Sequence, residues 1–342
     1  MTRLSTAAAL AALLIAPAGA LLVAPSGALA EDWSPAEPVT IIVPWSAGGS
    51  TDTVTRVIAK ELTDAIGQNF VIVNQPGASG SVGTRSVWEA PHDGMTMAAG
   101  AAADLGAYPV FGSLDATIAD WRLYLDVANP AMISVPADSE WEDFGAFLEA
   151  LTTAESPMTV SSGGLSSATA ITMQALEKVA DVKYRQIVYE GGNPAVISTV
   201  AGGTDFTAQN ATEQVDMVRA GRLRPLAVVA SSPLELAGYG SVPAITDWLP
   251  EIATAPNYFG IFVPADAPKE VLDTMDKVWA EKIANSEALK TFAAERAALF
   301  APSYGEEAHK AAMPFLSINA WQQFNSGAAP NEPTQFGIPK PE

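Results

Sequence analysis

Thr40-Ile41-Ile42-Val43-Pro44-Trp45-Ser46-Ala47-Gly48-Gly49-Ser50-Thr51-Asp52 decides how this chain is read. A β-branched run stops at glycines and a helical pattern begins at once. The run from Val39 to Val43 carries no charge, as a parallel strand covered on both faces requires. Ser50 or Thr51 suits the N-cap of the following helix, with Asp52 in its first turn. Val54, Val57, Ile58, Leu62, Ala65 and Ile66 form the apolar stripe of that helix, and Gly67 ends it. A strand that becomes a helix through glycine leaves main-chain N–H groups free at the helix N-terminus, a place that attracts anions. The device returns in Phe70-Val71-Ile72-Val73-Asn74-Gln75-Pro76-Gly77-Ala78-Ser79-Gly80-Ser81-Val82-Gly83. Two such turns in succession point to a cleft that holds a negatively charged ligand by its backbone.

Outward from these turns the rhythm continues. A short helix from Ser81 to about Ala90 stops at Pro91, and Met95–Ala98 suits a third strand. Strand and helix alternate, so a parallel sheet with right-handed crossovers is expected. A second unit repeats the pattern. It has strands at Ala131–Val135, Met158–Val160, Ile187–Tyr189 and Leu226–Ala230. Helices are expected at Trp141–Leu151, Ala168–Val179, from after Pro194 to about Ala201, and near Ala211–Ala220. Several of its strands end in small or amide residues: Ser161 to Ser167, Glu190-Gly191-Gly192-Asn193-Pro194, and Gln209-Asn210. Tyr258–Val263 is a strand candidate. From Pro268 onward the chain is mainly helical, and its tail from Ala328 is rich in Pro and Gly.

The first 30 residues read as a secretory signal peptide. Met1-Thr2-Arg3 is a basic start, an Ala/Leu-rich run follows, and Ala28-Leu29-Ala30 fits a cleavage site after Ala30. The chain has no cysteine, so it has no disulfide, no thiolate metal site and no cysteine for a lipid anchor. A periplasmic location follows as the expectation. The net charge is −20, which argues against binding nucleic acid or anionic lipid through charge. An anionic ligand must therefore be held by local donors against the global field, which salt screens within about 8 Å.

Together these motifs make the chain resemble the extracytoplasmic solute-binding proteins of tripartite tricarboxylate transporters, the TctC/Bug family. The two glycine turns look like that family's N-terminal loop signatures, in order and at the usual spacing. Val188-Tyr189-Glu190-Gly191-Gly192-Asn193-Pro194-Ala195 resembles the family's Tyr-Lys-Gly turn, and Ala220-Gly221-Arg222-Leu223-Arg224-Pro225-Leu226-Ala227-Val228 resembles the strand that follows its last second-lobe loop. The resemblance implies an α/β two-lobed periplasmic binding protein fold, type II-like, each lobe a mainly parallel sheet flanked by helices. Lobe one is expected at 31–129 plus 257–342 and lobe two at 130–256, with crossing segments near 125–132 and 250–258 as hinge.

It also implies a small organic carboxylate as ligand, gripped at one end by the two N-terminal loops, and integral membrane subunits of a tripartite transporter as partner. A membrane signalling protein is the alternative partner. The contacts carried over are Trp45, Ser46, Ala47, Gly48, Gly49, Ser50, Thr51 and Asp52 from the first turn, and Asn74, Gly77, Ala78, Ser79 and Gly80 from the second. Ser167, Tyr189, Asn193, Gln209 and Asn210 are the contacts expected from the second lobe. Asp52 suits its own helix dipole better than direct contact with an anion, and contacts the ligand directly where the ligand carries a donor such as an amine or hydroxyl.

Three departures bear on the ligand. Glu190 stands where the family has lysine, Ala170 where it commonly has histidine, and Trp45 where it often has Phe, Tyr or a small residue. Fewer cations then face the distal end of the ligand, which favours a mono- or dicarboxylate over a tricarboxylate. Trp45 offers a face for a planar ligand. Catalysis finds no support. His92 and His309 lie far apart in sequence, no Gly-x-Ser-x-Gly elbow occurs, and the Gly77–Gly83 loop lacks both the P-loop lysine and the dinucleotide fingerprint. No cofactor or metal is expected.

Overall fold

The first strand and helix form where the sequence places them, and the rest of the chain is built around that pair. The computed structural model describes residues 33–341; the expected signal peptide and its cleavage point lie outside them. In chain order the elements are β1 (Val39–Val43), α1 (Ser50–Ile66), β2 (Phe70–Asn74), α2 (Ser81–Trp88), β3 (Thr96–Ala101), α3 (Ala102–Phe111) and β4 (Trp121–Asn129). Then come β5 (Met132–Pro136), α4 (Phe144–Thr153), β6 (Met158–Ser162), α5 (Ala168–Ala180), β7 (Tyr184–Val188), α6 (Gly192–Val200), β8 (Phe206–Thr207), α7 (Ala211–Arg219) and β9 (Leu223–Val228). The chain closes with β10 (Leu234–Leu236), β11 (Gly240–Val242), β12 (Asn257–Pro264), α8 (Lys269–Glu281), α9 (Glu287–Arg296), β13 (Leu299–Tyr304) and α10 (Gly305–Asn325).

Two large sheets result. The first has the order β13-β4-β12-β3-β1-β2 and the second β7-β6-β8-β5-β9. They are mixed, not mainly parallel. β1 pairs in parallel with β2 and β3, but β12 runs antiparallel to β3 and β4, and β13 antiparallel to β4. In the second sheet β6 is parallel to β7 and β8, while β5 is antiparallel to β8 and β9. Parallel pairing follows where a helix crosses over. The strands β12, β13 and β5 supply the antiparallel pairs.

At the centre of both sheets both faces are covered, which explains the uncharged run of β1. Ile41 packs under α1 and α8 against Ile58, Leu62, Met275 and Trp279. Its neighbour Ile42 faces the other way, toward Leu105 of α3 and Leu316 of α10. Each such side chain, fully buried, contributes about 2–3 kcal/mol. In the second sheet Val160 and Phe206 face Phe144, Phe147 and Leu176, and Met132 and Val228 face Val196 and Val215.

Local chemistry sets the helix ends. Gly67 closes α1 in the left-handed region, at φ 81°, as the sequence implied. Ser167 caps α5 by accepting from Ala170 N, and Asp143 caps α4 by accepting from Ala146 N at 2.8 Å. The N-cap of α1 is Gly49, one residue before the expected serine, and Ser50 is its first helical residue. The helix α3 has no amphipathic signature because Ala102 to Val110 are all buried. Gly106 lets it meet α10, since a β-carbon there would sit 2.5 Å from the Leu316 side chain. No described helix is long and apolar enough to cross a membrane.

Candidate functional site

The helix α1 points its N-terminus at the second sheet, and a glutamate meets it there. Ser50 N donates to Glu213 Oε1 at 3.1 Å, and the Ser50 hydroxyl accepts from Asn210 Nδ2 at 3.2 Å and Thr212 Oγ1 at 2.8 Å. Glu213 is the third residue of α7, one turn past its N-cap Asn210. The helix start places its carboxylate back over the cap, where Asn210 also bonds to it. Burial pushes the Glu213 carboxyl up, and the Ser50 and Asn210 donors pull it back only in part. The local network orients the Gln209 amide with its oxygen toward Gly163 N (2.5 Å) and Thr169 Oγ1 (3.2 Å), and its nitrogen toward Glu213 Oε2 (3.3 Å).

A second carboxyl faces the same space. Asp104, in the first turn of α3, accepts from Ser166 Oγ at 3.1 Å across the cleft and from the Trp45 indole. Burial pushes its carboxyl up to about 7, outweighing those two donors. Between the sheets lies a cavity of about 40 Å³, bounded by Trp45, Ser50, Asp104, Ser167, Glu213 and Asn257 among others. A smaller hollow of about 20 Å³ adjoins it, sharing Ala168, Asn210 and Asn257. A water needs roughly 10–15 Å³ on this measure, so the cleft is shut around room for a few water-sized groups.

The glycine turns are where the lobes touch. Trp45 lies between Gly80 and Gly164, within 3.0–3.2 Å of the positions their β-carbons would take. Ser79 accepts from Leu165 N at 2.9 Å, Gly48 abuts the Asn193 amide, and a β-carbon on Gly191 would overlap Ser46 Oγ. Gly192 is similarly constrained, since a β-carbon there would overlap the Glu213 carboxylate.

The structure sorts the residues expected from sequence into groups. Trp45, Gly49, Ser50, Thr51, Ser167, Gln209 and Asn210 border the cavity. Ser46, Gly48, Ser79, Gly80 and Asn193 form its contact rim. Asp52 turns into its own loop instead. It accepts from Gly48 N, Asn74 Nδ2 and the Arg56 guanidinium, and although burial alone would raise its carboxyl, these partners hold it below the usual range. Asn74 thus ties the second turn to the first. Gly77 packs on Val82, and Ala47 and Ala78 are exposed. The Tyr189 hydroxyl bonds Ser198 Oγ at 2.5 Å within its own lobe. Of the departures, Glu190 is exposed and Ala170 is buried inside α5; neither borders the cavity.

Sequence reasoning missed Asp104, Ser166, Glu213 and Asn257. Glu213 had a signal: a glutamate three residues after Asn210 is a helix-start spacing. Asp104 had none, because its helix shows no periodicity.

The family model described as tripartite tricarboxylate transporter family receptor, TctC, matches residues 54–322. The UPF0065 protein of the tcbD-tcbE intergenic region of Pseudomonas sp. (strain P51) is 29% identical over 254 residues, 72% of this chain and 73% of that protein. Two solved structures share the fold. A Rhodopseudomonas palustris protein with adipate superposes with TM-score 0.75 at 22% identity, over 90% of this chain and 100% of its own. MatC from the same organism, with bound malate, gives TM-score 0.73 at 21% identity, over 85% and 98%.

Proposed function

The chain belongs to the tripartite tricarboxylate transporter receptor family, and from that premise we propose that it captures a small organic mono- or dicarboxylate between its two sheets and delivers it to the membrane subunits of such a transporter. It is a solute-binding protein, not an enzyme. In this reading lobe one comprises 31–129 and 257–342 and lobe two 130–256. The links between β4 and β5 and ahead of β12 serve as hinge. Export to the periplasm by the N-terminal segment belongs to the same proposal.

One observation carries the carboxylate reading. The α1 N-terminus already holds a carboxylate, that of Glu213, through Ser50 N at 3.1 Å. Backbone donors at a helix start suit such a group without a lysine or arginine. Relatives of this fold hold adipate and malate, both carboxylates. With the cleft shut around about 40 Å³, uptake requires the lobes to part, and the ligand then favours the closed form.

A thermal-shift panel of organic acids on residues 31–342 tests the proposal. At roughly 100 times its dissociation constant a true ligand adds about 2.7 kcal/mol of stability. At least one acid is expected to raise the midpoint by several degrees. If every acid leaves it unmoved while a sugar or a carboxylate-free amine shifts it, the carboxylate reading fails.

A further inference from the structure

Four acceptor groups converge on the cavity between the sheets, and no lysine, arginine or histidine is among the described residues that line it. Two are the buried carboxyls of Asp104 and Glu213. The other two are Asn210 Oδ1 and Asn257 Oδ1, which are buried and have no hydrogen-bond partner among the described residues. Both asparagines are 7% exposed, and Asn210 is fixed in direction by its Nδ2 bond to Ser50 Oγ. Several of the donors nearby are already engaged. Ser50 N serves Glu213, Ser166 Oγ serves Asp104, and Ser167 Oγ shares a proton with Ser162 Oγ at 2.8 Å. A buried acceptor without a donor is costly, and a buried carboxylate without a counter-charge more so.

We propose that the ligand presents a protonated nitrogen, an amine or amidine, to Asp104, Glu213, Asn210 and Asn257, so that the solute is an amino-acid-like zwitterion and not a dicarboxylate. The inference rests on the carboxylate capture proposed above, which places the other end of the solute at the glycine turns. An ammonium carries three donors and no acceptor, which matches a wall of acceptors. Its charge balances carboxylates that burial otherwise penalises. A second carboxylate in the same place meets two acidic groups and no cation, and opposed like charges in a dry site repel strongly. A hydroxyl satisfies the amide oxygens but leaves the carboxylate charge unmatched.

Calorimetric titration of matched pairs at pH 7.5 decides it. The pairs are 6-aminohexanoate against adipate, and 4-aminobutanoate against succinate; hexylamine serves as a carboxylate-free control. In at least one pair the amino member is expected to bind tenfold or more tightly than its partner. Asp104→Asn and Glu213→Gln are each expected to bring that ratio toward one. The ratio cancels any change in lobe opening, which affects both members equally. If neither pair shows that preference, or if no amino member binds, the inference is overturned while carboxylate capture stands or falls on the acid panel. If hexylamine matches 6-aminohexanoate, the cationic site stands and carboxylate capture is lost. Should a variant fail to fold, the pairs on the wild-type protein still separate a zwitterion from a dicarboxylate.

Discussion

A variant carrying Asp104→Asn and Glu213→Gln should stay closed at pH 8 without ligand, where the wild-type protein opens. Asp104 is the larger contributor. Burial holds its carboxyl at about 7, whereas parting the lobes removes Ser166 and rehydrates it toward the ordinary value near 3.9. The closed form therefore keeps this proton to higher pH than the open form. Its advantage is complete below about pH 4 and drains away as pH rises toward 7. From pH 5 to pH 7 the loss is about 2 kcal/mol, roughly fiftyfold in the closed-to-open ratio. Glu213 is shifted the same way by burial and adds to the effect.

The other titratable groups nearby do not reverse this sign. Tyr108, beside Asp104, is pushed well up by burial and stays protonated. Asp52 is held low by Gly48, Arg56 and Asn74, all of its own lobe, which opening leaves in place. Small-angle scattering between pH 5 and 8 should show the radius of gyration of the ligand-free wild-type protein growing and that of the double variant flat. A wild-type radius that never changes would sink the prediction.

The largest loss of stability should come from Gly260→Ala. Gly260 lies in β12, between β3 and β4 in the middle of the first sheet. A β-carbon there would overlap the Tyr124 carbonyl oxygen and stand 2.8 Å from Leu125 Cα. Both obstacles are main chain, so no side-chain rotation relieves them. The close approach arises because β4 bulges at Asp126. Pairing to β12 jumps from Val127 to Leu125, and pairing to β13 makes the same jump. Asp126 is 1% exposed and burial raises its carboxyl well above the usual range. Overpacking in a core costs about 1–3 kcal/mol when the surroundings can yield, and more when they cannot. We expect a loss of about 3 kcal/mol or more by urea unfolding, or no soluble protein. A variant within about 1 kcal/mol of wild type would show that β4 shifts freely.

How much of this was legible depended on whether the signal was local. The β1–α1 junction was plain because an uncharged run, two glycines and an amphipathic stripe all lie within one short stretch. The same held for Ser167, whose hydroxyl caps α5 as well as bordering the cavity. β4 was invisible because Arg122 and Asp126 break its apolar run. Arg122 pairs with Asp276 on α8, which is 154 residues away in sequence. Asp104 escaped for a related reason: its helix is buried on every side, so periodicity is silent, and its partner Ser166 comes from the other lobe. Sequence alone makes Glu190 the distinctive residue of the far wall. Folding puts Glu190 outside and brings Glu213 in, through a helix start that sequence marks but tertiary packing aims.

Trp45 has a consequence of an optical kind. Its ring is sandwiched between Gly80 of one lobe and Gly164 of the other, while its indole bonds Asp104. Parting the lobes strips one side of the ring and hands it to solvent, so its emission should move to longer wavelength whenever the cleft opens. Trp121 and Trp279, each 1% exposed within the first lobe, supply a steady background. The protein thus carries a built-in fluorescent gauge of its own closure, read without label or transporter, and Trp45→Phe should silence it.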